Sequence, residues 1–64
     1  MGGIKKMETR YYIKGWHWGF LCHFEIKENM EEALEYGKRI AMRYENVKVI
    51  RKTTGKDPVI IYKR

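Results

Sequence analysis

At 64 residues with a net charge of +6, the chain sits near the size at which one core supplies only a few kcal/mol of net stability, which argues against a deep catalytic cleft. Its 44% hydrophobic and 14% aromatic content excludes wholesale disorder. The longest uncharged apolar run, residues 15–23, falls far short of the roughly 20 residues that span a bilayer, and no leader-like pattern opens the chain; the expectation is a soluble, cytoplasmic protein with no membrane partner.

Residues 1–7, with two glycines and two lysines, read as a flexible tail, and residues 8–64 as one domain. The stretch TRYYIKGWHWGFLCHFEIK that follows alternates with the period of two expected of strands. On its first half Thr9, Tyr11 and Ile13 are the natural inward set. On its second half Trp16, Trp18, Phe20, Cys22, Phe24 and Ile26 share one face, and His17, Leu21, His23, Glu25 and Lys27 the other. For Tyr11 and Ile13 to share a side with Phe20 and Phe24, paired residue numbers must sum to an odd value. A two-residue turn at Lys14 and Gly15 satisfies this, and so does a four-residue loop over 14–17. If the strand runs through GWHWG, the two tryptophans continue the inward stripe and cap the end of the core over Gly37, with His17 and Gly19 outward; packing is the expectation for Trp18, and Trp16 is left open between core and display.

The segment NMEEALEYGKRIAMRYEN carries an apolar stripe at helical spacing: Met30, Ala33, Leu34, Gly37, Ile40, Ala41 and Tyr44. Asn29 is placed to cap it, with Glu32 at capping-box spacing. Acids fill its first turns and bases its last, as the helix dipole favours. Gly37 on the buried stripe costs about 1 kcal/mol relative to Ala, so it should admit a bulky neighbour. VKVIRK and VIIYKR then read as two strands around a TTGKDP turn. The order ββαββ predicts an α+β fold, one antiparallel four-stranded sheet with a single helix packed on one face, with strand order undecided.

No constellation for catalysis stands out. TTGK lacks the earlier glycine, the following Ser or Thr and the helix of a phosphate loop. His17, Cys22 and His23 are too few, and wrongly placed, for a closed metal site. There is no serine nucleophile. The expectation is a non-enzymatic protein without metal or cofactor.

The basic charge lies at both ends of the chain, while residues 28–46 are net acidic. With Val47, Val49, Val59 and Ile61 turned to the helix, the outward face gathers Arg10, Tyr12, Lys14, Lys48, Lys52 and Tyr62, together with His23, Lys27, Ile50, Ile60 and Arg64. Lysine and arginine neutralise phosphates and tyrosines stack on unpaired bases, so this face points to contact with nucleic acid or a nucleoprotein complex. The same charges also serve solubility and guard sheet edges, and a second copy is another candidate to cover Ile50, Ile60 and Tyr62. The lone Cys22 cannot make an internal disulfide. The absence of Ser and Gln alongside abundant Lys, Glu, Ile and Tyr matches a bias of proteins from hot environments.

EEALEYGKRIAMRYENVKVI followed by KTTGKDPVIIY resembles short reading frames of phages and other mobile elements: a hairpin, a helix opening on Glu-Glu-Ala, and a second hairpin turning at Thr-Gly. The resemblance implies an inhibitor or adaptor that binds a host or defence protein. The residues Trp16, His17 and Trp18 of GWHWG would form its hot spot, since tryptophan is over-represented among residues that dominate interfaces.

Overall fold

A computed structural model describes residues 7–64; apart from Met7, the expected N-terminal tail lies outside them. The elements are β1 (Thr9–His17), β2 (Phe20–Lys27), α1 (Met30–Ile40), β3 (Asn46–Thr53) and β4 (Val59–Lys63). The strands form one antiparallel sheet in the order β2-β1-β3-β4, and α1 lies mainly over the two central strands, β1 and β3. This is the α+β fold expected from the pattern. Among the described residues no helix is long and apolar enough to cross a membrane.

The covered face is made of small and branched side chains. Tyr11 and Ile13 from β1, Ala33 and Ile40 from α1, Ala41, and Val47 and Val49 from β3 are buried, with Tyr36, Tyr44, Ile61 and Tyr62 packed around them. Asn29 caps the helix, its Oδ1 accepting from the Glu32 amide at 3.1 Å. A Cβ built on Gly37 would stand 2.5 Å from Val49 Cγ2. The close approach expected at this glycine is therefore made by a valine of β3, not by a tryptophan. The helix is shorter than its stripe suggested and ends at Ile40, with Ala41 as its C-cap; Tyr44, beyond it, lays its ring on Gly15.

The first hairpin corrects the sequence reading. Its turn is Trp18-Gly19, with φ of 51° and 81°. His17 opposes Phe20, so the loop has two residues and the positive φ pair of a type I′ turn. Gly15 lies within β1, where the Tyr44 ring leaves no room for a side chain: a Cβ there would be 3.0 Å from Tyr44 Cγ. An unbroken ladder from this turn would set Ile13 opposite Phe24, with the odd sum expected. The ladder is broken: Trp16 opposes Leu21 but Gly15 opposes His23, which leaves Cys22 as an extra residue. A one-residue bulge inverts every side chain beyond it. Ile13 therefore opposes Glu25, Tyr11 opposes Lys27, and Lys14 opposes Phe24. His23, Glu25 and Lys27 turn to the helix side, and Phe24 and Ile26 to the open side.

The second hairpin repeats the device on the other edge. Val49 opposes Tyr62 and Ile50 opposes Ile60, so Ile61 is the extra residue and both Ile61 and Tyr62 pack against the core. Tyr62, expected outward, is thus on the covered face. Arg64 is there too: it exchanges backbone hydrogen bonds with Val47, and its Nη1 donates to the Ala41 carbonyl at 2.9 Å.

Candidate nucleic-acid interface

The ladders that place β2 and β4 also align the open face into rows across the sheet. One row is apolar from edge to edge: Ile26, Tyr12, Ile50 and Ile60. The next is Phe24, Lys14, Lys48 and Lys63. On the other side Arg10 opposes Lys52, and at the far end Trp16 stands between Leu21 and Asn46. An apolar band is thus flanked by cations on both sides.

The rings on this face are ordered. Tyr12 and Phe24 stack with centroids 5.9 Å apart and planes inclined by 29°. Lys14 Nζ lies 5.9 Å from the Phe24 centroid and Lys48 Nζ 5.3 Å from that of Trp16. The two ammonium groups thus lie over ring faces, within the range at which a cation is attracted to the ring quadrupole. Coverage is incomplete, with Phe24 at 50% and Ile60 at 51% exposure. Tyr12, Lys14, Phe24, Ile50, Lys52 and Pro58 line a shallow hollow at the centre of the face.

Charge on the face has one sign. Glu25 is the sole acid within the four strands, and the bulge sends it to the helix side. Glu8, just before β1, lies 3.6 Å from Arg10 and offsets one cation at the margin. Lys14, Lys48 and Lys63 stand directly opposite one another over three strands, an arrangement that costs stability because like charges repel across a ladder.

Of the eleven residues expected on this face, Arg10, Tyr12, Lys14, Lys48, Ile50, Lys52 and Ile60 are brought together here, and His23, Lys27, Tyr62 and Arg64 are not. Phe24, Ile26 and Lys63 join them although the sequence reading omitted them. The buried residues of α1 are Ala33, Gly37 and Ile40, a strip too narrow to cover a second set of large side chains on an edge strand, which the longer apolar stripe in the sequence did not disclose. Trp16 is half-buried on the open face.

The tip separates the three residues of the expected hot spot. Trp18 is 86% exposed, so it does not cap the core. Its amide donates to Glu45 Oε1. His17, expected outward, sits on the helix side, its ring 4.8 Å from that of Tyr44 and its Nδ1 3.9 Å from the same carboxylate oxygen.

His23 is likewise engaged on the covered side. Its Nε2 meets the Tyr36 hydroxyl at 2.5 Å and its Nδ1 the Tyr44 hydroxyl at 3.4 Å. Desolvation, then the nearby Glu25 carboxylate and Tyr44, push the Tyr36 phenol above its ordinary pKa, against an opposing pull from Arg39. These contacts brace β2 against α1. No protein-family model, curated protein or solved structure matches the chain, so the reading of the site rests on its own residues.

Proposed function

We propose that this is a non-enzymatic protein that binds nucleic acid, alone or within a nucleoprotein complex, through the open face of its sheet. The observation that carries the reading is the row of three directly opposed lysines beside an exposed apolar band. A face serving solubility alone has no reason to align like charges where they repel, whereas a polyanion turns that repulsion into attraction. Arg10, Lys14, Lys48, Lys52 and Lys63 supply the phosphate contacts, and Tyr12 and its neighbours the apolar ones. A second copy is a poorer occupant, because face-to-face pairing would set the same cations against each other.

The test is the salt dependence of affinity. Each phosphate contact contributes about 0.7 to 0.9 to the slope of log K against log salt. Reversing Lys48 and Lys52 to Glu together should weaken binding of an oligonucleotide and flatten that slope by about 1.5. An unchanged slope refutes the face.

A second reading is favoured by one specific feature, Trp18 at the first position of the type I′ turn. That position prefers Asn, Asp or Gly, and a bulky residue there at positive φ is strained. Strain kept at an exposed tip is a sign of use. On this reading the tip, with Phe20 and Leu21 also exposed, docks on a host or defence protein, as the likeness to mobile-element proteins suggests. Trp18→Asn discriminates: it should relieve the turn and abolish capture of such a partner, while leaving oligonucleotide affinity unchanged.

A further inference from the structure

We infer, building on the nucleic-acid reading of the open face, that its ligand is an unpaired strand whose bases lie on the Tyr12–Phe24 pair and on Trp16, with phosphates held by Lys14 and Lys48 between them. Size is the first argument. Four strands at a spacing of about 4.8 Å place the two edges about 14 Å apart before side chains are added, wider than the roughly 12 Å major groove, which admits one helix or a two-stranded ribbon. The sheet therefore meets a duplex only along its phosphate rim, and the band Ile26, Tyr12, Ile50 and Ile60 would remain wet.

Chemistry is the second. An unpaired strand offers a π-face on every base, which is what exposed rings on a sheet can take. The bulge at Cys22 matters here, because it turns Phe24 to the open side and sets it beside Tyr12. In the free protein Lys14 lies near the Phe24 ring and Lys48 over the Trp16 ring. In the complex the phosphates take the two ammonium groups, and the bases take the ring faces so released. Tyr12 and Trp16 are four residues apart on β1, about 13 Å, so the strand runs along β1 from one ring site to the other. Trp16 is thereby assigned to the nucleic-acid face and not to the hairpin tip.

The experiment compares a thymidine 12-mer with a 12-base-pair duplex at one salt concentration, for the wild type and for Phe24→Ala, Phe24→Tyr, Trp16→Ala and Lys48→Glu. The single strand should bind more tightly than the duplex and move the ring-proton signals of Trp16 and Phe24 upfield. Phe24→Ala and Trp16→Ala should each weaken single-strand binding about 10- to 100-fold and leave duplex binding within about 2-fold, the scale expected when no base is stacked on the ring. Phe24→Tyr, which keeps a ring, should restore most of the loss, and melting temperatures of all variants identify any that merely unfold. Equal affinity for both ligands with unmoved ring signals, but a loss on Lys48→Glu, overturns the single-strand inference and leaves the nucleic-acid face standing. Binding of neither ligand, or binding indifferent to Lys48→Glu, overturns both.

Discussion

The two faces of this sheet are built from the same four strands and obey opposite rules. The covered face holds Ile13, Val47 and Val49 at zero exposure against Ala33, also fully buried, with Gly37 cut back to the backbone so that helix and sheet meet closely. The open face holds Phe24, Ile26 and Ile60, all exposed, and the half-buried Trp16 and Tyr12, with lysine ammonium groups over the rings of Phe24 and Trp16. Core formation alone would have taken in Phe24 and Ile26 before Glu25 and Lys27, since burying an apolar side chain is favourable and burying a charge is costly. Apolar content is thus divided between folding and display: plain alternation on β1 and β3 leaves Tyr12, Trp16 and Ile50 open, the bulge at Cys22 adds Phe24 and Ile26, and the bulge at Ile61 takes Tyr62 to the covered side.

That contrast can be broken first on the covered side. Ile13→Ala should cost about 2 to 5 kcal/mol, enough to leave a domain of this size largely unfolded at room temperature; chemical denaturation monitored by circular dichroism measures it. The matching truncation on the open face, Ile60→Ala, should cost under about 1 kcal/mol because half of that side chain is already in water. Equal costs would mean that the open face is not open. Gly37→Ala comes next: the helix gains about 1 kcal/mol of propensity, but the new methyl collides with a fully buried Val49, and overpacking costs about 1 to 3 kcal/mol. A net loss of about 1 kcal/mol is expected, where an exposed helical glycine would show a gain.

Lys48→Glu should raise stability by about 0.2 to 1 kcal/mol, by replacing a repulsive cross-strand row with an attractive one, while weakening oligonucleotide binding. A mutation that stabilises the fold and impairs the face separates the two roles cleanly. The covered side carries a pH signature as well. The Tyr36 phenol is held above its ordinary value of 10.0, so the folded state retains a proton that the unfolded chain releases. Its contribution is fully present below pH 10, declines as pH rises past the unfolded value, and is lost once pH passes the folded one. In Tyr36→Phe that part of the alkaline decline in melting temperature should disappear.

Much of this was legible in the residues. Element order, the Asn29 cap and the close approach at Gly37 follow from spacing and from the chemistry of single positions. The faces of β1 and β3 were legible too, because Tyr11, Ile13, Val47 and Val49 alternate with Arg10, Tyr12, Lys14 and Lys48. The faces of β2 and the end of β4 were not. In β2 the apolar residues alternate in good order, and the parity argument fails only because Cys22 is inserted into the ladder. A bulge is set by local twist and by what the neighbouring elements can cover, here a short helix whose buried residues are Ala33, Gly37 and Ile40, and it leaves no signature in strand periodicity. Tyr62 was misplaced for the same reason, by the extra residue Ile61. The turn was misplaced because Gly15 and Gly19 are both fit for it, and only the Tyr44 ring, far along the chain, claims Gly15 for another purpose.

The most direct test of the nucleic-acid face is an amide NMR titration with a short single-stranded oligonucleotide at low and at moderate salt. Shifts should cluster at Tyr12, Lys14, Lys48, Ile50 and Lys52 and fade as salt rises, with Ala33, Gly37 and Trp18 still. Shifts confined to residues 18–21, or none at all, would contradict it.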